Sequence, residues 1–252
     1  RKGFVRFWRW LQARLMHLAN FSIQLLNSVQ YGLLLFLLAA GLTLIFGIMG
    51  VVNLAHGSFY MLGAYLAYAL TGAWDNLFLA VLAGAIISLL VGWGLEKILF
   101  KHFYKRDHLD QVLFSIGLAF MAVASVDYFV GSQQQIMQLP EWLKGRTELG
   151  TGTPWELGMG HYRLFIIAVC AALTLGLQYV LSATRFGSRL RASVDDPRVA
   201  AGMGINVNVV FAMTFAVGSG LAGLGGALGA EVLGLDPTFP LKFMVYFLIV
   251  VA

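Results

Sequence analysis

Three polar side chains sit where an apolar chain has least reason to carry them. The stretch GVVNLAHGS, residues 50–58, places Asn53, His56 and Ser58 between Gly50 and Gly57, inside an otherwise apolar run from Tyr31 to Leu70. A carboxamide, an imidazole and a hydroxyl can each bond backbone groups that a helix leaves free where it breaks. Gly41, Gly47, Gly50 and Gly57 supply the flexible backbone such a break needs. Broken backbone at membrane depth is tolerated only where it is buried in protein or lines a water-filled cavity. His56 and Asn53 therefore divide between two roles, lining a passage or bonding neighbouring helices. Ser58 suits a helix cap or a back-bonded hydroxyl.

Other chemistries lack their residues. The five histidines (17, 56, 102, 108 and 161) never take the HExxH spacing, and the single cysteine, Cys170, offers neither a disulfide nor a thiolate metal site. GSGLAG at 218–223 has the GxGxxG form. That fingerprint requires a preceding strand and a βαβ unit, and here it sits in an apolar segment. Gly218, Ala222, Gly226 and Ala230 recur four apart, beside Ser219, Gly223 and Ala227, which is the spacing for close helix contact in lipid. No GxxxxGK[ST] occurs, so the chain does not hold ATP by that route. With no catalytic acid pair, serine–histidine pair or metal cluster in the apolar runs, neither enzymatic activity nor a cofactor is expected. Asp127 reads as the one carboxylate well inside an apolar run, either functional or reaching the outer interface. Glu231, Asp236 and Pro237 form either a partner contact or a plain polar turn.

The elements that must position these residues follow from composition. Of 252 residues, 59% are hydrophobic and 12% charged, and the mean hydropathy is +0.78. A soluble domain carries roughly 25% charge. Apolar segments at 28–50, 53–70, 77–100, 110–131, 162–182, 206–230 and 241–252 are continuous rather than alternating, so they predict helices and not a barrel. The fold expected is all-α: a polytopic transmembrane helical bundle with a broken membrane helix and a short helix in a cytoplasmic connection, which the resemblance named below makes a coupling helix.

The net charge of +5 is gathered into short connections, which argues against nucleic acid and for membrane orientation. KHFYKRDH (101–108) and the segment 183–205, with Arg185, Arg189, Arg191 and Arg198, are placed inside. Segments 71–76, 132–161 and 231–240 are placed outside. Residues 1–27 carry Arg1, Lys2, Arg6, Arg9 and Arg14 among Phe4, Phe7, Trp8 and Trp10 and read as a separate amphipathic tail at the membrane interface, ahead of a transmembrane domain over 28–252. Two full crossings within 28–70 would put this basic tail outside, so either the tail is an exception to the charge rule or, the reading favoured by the break, part of 28–70 enters and leaves on one side. The basic start lacks the apolar region of a signal peptide. The closing run LKFMVYFLIVVA covers only about half a bilayer, so a continuation past Ala252 is expected.

ATRFGSRLRASVDDPRVAAGMGINV (183–207) carries its own signals. Asp195 or Asp196 can cap a helix, Pro197 fits its first turn, Val199, Ala200 and Ala201 follow, and Gly202 and Gly204 end it. An ordinary loop with one helical turn would read the same way. A docking knob would use Ala200, Ala201 and Gly204 for close approach and the surrounding arginines for charge complementarity.

NLAHGSFYMLGAY, RFGSRLRASVDDPRVAAGMGINV and GLAGLGGALGAEVLGLDP, in that order, resemble the high-affinity branched-chain amino-acid permeases of ABC importers, nearest the first of their two paralogous permease subunits. The resemblance covers about 30–252. It implies a multi-pass protein of the bacterial inner membrane with four partners besides the lipid: a second permease, two cytoplasmic ATPases and a periplasmic substrate-binding protein. It implies that Asn53, His56, Gly57 and Ser58 line the translocation path. It also implies that Asp195, Asp196, Pro197, Ala200, Ala201 and Gly204 belong to the loop transmitting ATPase closure. Composition leaves open urea, a short amide or an aromatic acid as cargo, and a carrier or channel that needs no ATPase.

Overall fold

Backbone in lipid must close its own hydrogen bonds, and long apolar stretches do so as helices. The structure, a computed structural model, describes residues 2–104, 106–137, 139–149 and 157–251. Its helices are α1 (Lys2–Met49), α2 (His56–Trp74), α3 (Leu77–Ile98), α4 (His108–Phe129), α5 (Glu141–Lys144), α6 (His161–Ala183), α7 (Arg185–Asp195), α8 (Pro197–Gly202), α9 (Val207–Leu233) and α10 (Phe239–Val251). A 3-10 turn, Phe100–His102, follows α3. Among the described residues the only strands are β1 (Arg146–Leu149) and β2 (Leu157–Gly160), an antiparallel hairpin pairing Arg146 with Gly160 and Leu149 with Leu157.

Among the described residues, five helical stretches are long and apolar enough to cross a membrane: Met16–Met49, Leu77–His102, His108–Phe129, His161–Ala183 and Val207–Leu233. The all-α membrane bundle stands, and the small hairpin is an addition that the 132–161 connection did not announce. Helix α1 continues through residue 27 without interruption, so no break in secondary structure separates tail from membrane segment. The side chains of Arg1, Lys2, Phe4, Arg6, Trp8 and Arg9, on which the interfacial tail rests, lie outside the described ones, as does Lys105.

The chain divides into two compact units, Arg1–Leu33 with Leu139–Ala172, and Leu34–Gln138 with Leu173–Ala252. In the first, Ala19, Leu143, Tyr162, Ile166 and Cys170 are buried, and the Arg163 guanidinium donates to the Asn27 side chain. In the second, Leu38, Leu42, Ile45, Val51, Phe59, Tyr60, Phe100, Phe215, Ala222 and Phe239 form the core.

Helix α9 is the axis of this second unit, and its small residues explain why. A Cβ at Gly218 would meet the Gly41 carbonyl of α1, one at Gly223 the Ser88 side chain of α3, and one at Gly226 the Tyr60 carbonyl of α2. Packing without a hydrophobic driving force favours such small-residue contacts. GSGLAG is thus continuous helix interior, with none of the strand-to-helix turn a dinucleotide fingerprint requires.

Residues 34–49 run antiparallel to α9: Leu37 neighbours Gly225, and Gly41 and Ile45 neighbour Gly218. The non-helical segment 50–55 then turns the chain back within the bundle. At one end of the unit, Gln135 forms an antiparallel bridge with Leu235, joining two connections assigned to the outer face. Tyr65 Oη donates to the Leu235 carbonyl (3.4 Å) and Tyr68 Oη to Gln135 Oε1 (3.3 Å) at the same end.

Candidate functional site

The break lies where glycine and asparagine permit it. Helix α1 ends at Met49, and Gly50 takes φ +62°, a left-handed conformation that favours glycine, while its N–H still donates to the Phe46 carbonyl (2.9 Å). Residues 50–55 are not helical, and α2 begins at His56. Asn53 Oδ1 accepts from the Ala55 N–H (3.0 Å), and the Asn53 carbonyl accepts from the His56 N–H (3.3 Å). Freed amides here would cost several kcal/mol each if unpaired in an apolar setting. Helix α4 answers two of them: Gln111 Oε1 accepts from the Val52 N–H (3.0 Å), and Ser115 Oγ accepts from the Leu54 N–H (3.0 Å).

The break is sealed inside protein. Asn53 is 1% exposed and His56 0%. The imidazole Nε2 lies 3.1 Å from the Leu38 carbonyl oxygen, which can only accept, so Nε2 carries the proton. His56 thus does bond a neighbouring helix, yet Nδ1 remains buried without a partner, as does Asn53 Nδ2. In the neutral ring Nδ1 is an acceptor, and the Asn53 amide holds unspent donors. Gly57 is buried in the first turn of α2. Ser58 departs from expectation: its Oγ is buried with no hydrogen-bond partner, so it neither caps nor back-bonds, and Asn53 supplies the turn's accepting oxygen instead.

Gln111 and Ser115 escaped the sequence reading, although a signal existed. They lie four apart on α4 and, with Ala119, share its buried face. Glu96 escaped too, and Asp127 is not the carboxylate deepest in an apolar run. Asp127 is exposed near the outer end of α4, whereas Glu96, inside α3, is 4% exposed and accepts from Tyr104 Oη. Burial, and then the bond to Glu96, raises the Tyr104 phenol and keeps it a donor.

At the Arg-rich end, the short helix expected after Asp195 or Asp196 is α8, and a helix the sequence reading did not expect, α7, precedes it. Thr184 caps α7, accepting from the Gly187 N–H (3.4 Å), and Gly187 lets the chain pass the Leu181 carbonyl. Asp195 closes α7. Asp196 is the residue that caps α8, with Oδ1 accepting from the Arg198 (2.8 Å) and Val199 (3.1 Å) amides, and Pro197 fills the first turn. Gly204 takes φ +83° and ends the motif. Ala200 is 2% exposed, so it faces the permease itself and is not on the outer surface expected of it. The outer face carries exposed Ala201 with Val199 (58%) and Met203 (76%).

At the opposite end, Asp236 is a turn-former: Oδ1 accepts from the Thr238 N–H (2.8 Å) and Thr238 Oγ1 (2.7 Å), and its carboxylate pairs with Lys242. Burial pushes this carboxyl up, but Lys242 and Thr238 together hold it below the usual range. Glu231 is exposed and Pro237 buried. No group of three or more metal-ligating side chains occurs among the described residues.

A family model described as branched-chain amino acid transport system / permease component matches residues 24–252. The chain belongs to that family. It is 28% identical over 224 residues to the high-affinity branched-chain amino acid transport system permease protein LivH of Salmonella typhimurium, covering 85% of this chain and 72% of that one. It is 28% identical to the corresponding permease protein BraD of Pseudomonas aeruginosa, over 84% of this chain and 70% of that one. A probable branched-chain amino acid transport permease protein LivH of Methanocaldococcus jannaschii is 31% identical, over 80% of this chain and 64% of that one. No solved structure matches. As a member of this permease family, the chain is a multi-pass membrane transport subunit and not an enzyme, and it works within a transport system of several components.

Proposed function

We propose that this chain is the permease subunit of an ABC importer that carries branched-chain or other neutral amino acids across the bacterial inner membrane. It pairs with a second, paralogous permease, is driven by two cytoplasmic ATPases and is loaded by a periplasmic binding protein. Within the family frame, the observation that carries this reading is the buried break with unspent polarity. His56 Nδ1 offers an acceptor suited to an ammonium group, and Asn53 Nδ2 offers donors suited to a carboxylate. Around them Leu38, Leu42, Phe59 and Phe215 supply apolar walls suited to an aliphatic tail. The described state is closed, because glycine contacts between α1, α2 and α9 seal His56 and Asn53 from solvent. Opening requires those helices to part.

The exposed face of α8, with Ala201, Val199 and Met203 flanked by Arg198, is the surface that would sit in an ATPase groove. Asp195, Asp196, Pro197, Ala200 and Gly204 shape and anchor it rather than touch the partner. Proteoliposomes containing this chain with its copurifying components test the reading. Leucine uptake that requires ATP and a leucine-loaded binding protein is the expected result. Stimulation by a urea-loaded protein alone would remove the amino-acid reading, and uptake without any ATPase would replace the importer by a carrier or channel.

A further inference from the structure

The same carboxamide that holds the break also holds the first basic connection. Gln111 Oε1 accepts from the Val52 N–H (3.0 Å), while its Nε2 donates to the Phe103 carbonyl (3.1 Å) and the Arg106 carbonyl (3.2 Å). One buried side chain thus spans from the connection after α3 to the backbone beside Asn53 and His56, and uses both ends of its amide to do so. We propose that Gln111 is a positioning residue that makes the basic connection 100–106 a second mechanical input to the helix break, alongside the α7–α8 elbow. The inference rests on the importer reading above.

The connection is built to transmit displacement rather than absorb it. Its 3-10 turn places Phe100 in the core, 4.8 Å from Phe215 between ring centres, and the Phe103 ring stacks on Phe114 at 4.1 Å. Tyr104 donates to buried Glu96. Phe215 in turn meets Phe59 edge-on at 6.1 Å, and Phe59 meets His56 at 6.1 Å. The segment is therefore clamped to α3, α4 and α9, while Lys101, His102 and Arg106 remain exposed at the surface. Spatial continuity alone does not establish coupling. What gives the link directional content is its chemistry: the Nε2 end grips carbonyls of the connection and the Oε1 end grips an amide of the break, so the two can be cut separately.

Gln111→Glu keeps an acceptor for Val52 and loses the donors to Phe103 and Arg106. Gln111→Leu cuts both ends. Ser115→Ala frees the Leu54 amide and leaves the connection untouched. In the assembled importer, leucine taken up per ATP hydrolysed is expected to fall about tenfold in Gln111→Glu, the size of effect expected when a buried hydrogen bond is lost. Hydrogen exchange across residues 50–55 should stay near wild type in Gln111→Glu and rise about tenfold in Gln111→Leu. A wild-type ratio of uptake to hydrolysis in Gln111→Glu would overturn the proposal. So would Ser115→Ala lowering that ratio as much, since a merely structural role would not distinguish the two. If the unaltered complex shows no ATP-driven uptake, the importer reading fails instead. In that case unchanged exchange at 50–55 in Gln111→Leu would still refute Gln111 as the anchor of the break.

Discussion

Adjacent glycines on α9 offer a controlled test of the packing that seals the break. Gly225 and Gly226 are both buried in the middle of the same helix. A Cβ at Gly225 would sit 3.6 Å from Leu37 Cβ, an ordinary contact, whereas a Cβ at Gly226 would be driven into the Tyr60 carbonyl oxygen. Each Gly→Ala change brings the same helix-propensity gain, about 0.5–1 kcal/mol. Only Gly226→Ala adds overpacking, about 1–3 kcal/mol. Because the obstacle is backbone on both helices, no rotamer change relieves it, and the upper part of that range applies. Relative to Gly225→Ala, Gly226→Ala should therefore be destabilised by about 2–3 kcal/mol, corresponding to several degrees in thermal midpoint for a chain of this size. Thermal unfolding of the two variants in one detergent, read by monodisperse recovery on size exclusion, measures the difference. A Gly226→Ala protein as stable as Gly225→Ala would refute the claim that α2 and α9 touch backbone to backbone at Tyr60.

Three further outcomes follow from the site. His56→Leu removes the bond to Leu38 and the free acceptor together; it should lower leucine uptake about tenfold or shift substrate range, and a change confined to detergent stability would favour a purely structural histidine. Ala201→Trp, on the exposed face of α8, should abolish binding-protein-stimulated ATP hydrolysis with membrane insertion intact, whereas Ala200→Trp, at a buried position, should destabilise the elbow by about 1–3 kcal/mol; equal behaviour of the two would remove the assigned orientation of α8. Asp236 has its folded-state value lowered, so its contribution is present above the ordinary carboxylate value of 3.8 and lost as pH falls through the lower folded value. Asp236→Asn should therefore lower the thermal midpoint slightly at pH 7 and lose that deficit in acid below pH 3.8, and a deficit persisting there would implicate packing instead of the Lys242 pair.

Much of the architecture was readable because lipid is a strict solvent. Apolar runs without charge have one stable backbone option, so the helices over 77–100, 110–131, 162–182 and 206–230 lie close to where composition put them. The break at 50–55 was readable for the same reason, since glycines and hydrogen-bonding side chains in such a run have no other use. Local capping chemistry was also visible in Asp196–Pro197, because both residues act within a few positions of themselves. The division of 183–204 into two helices was not, since it depends on Gly187 turning α7 tightly past Leu181.

What composition, periodicity and capping signals determined, then, is a membrane-spanning helical protein, an interruption at Asn53–His56 and a capped turn at Asp196. These follow from solvent and from neighbours in the chain. Tertiary structure alone decided which groups answer the freed amides, because Gln111 and Ser115 lie 59 and 61 residues from Val52 and Leu54. It alone turned Ala200 inward and Val199 with Met203 outward, and left His56 Nδ1 and Asn53 Nδ2 unspent. A hydrogen bond across the bundle depends on how helices pack in three dimensions, and no local pattern of side chains encodes that distance.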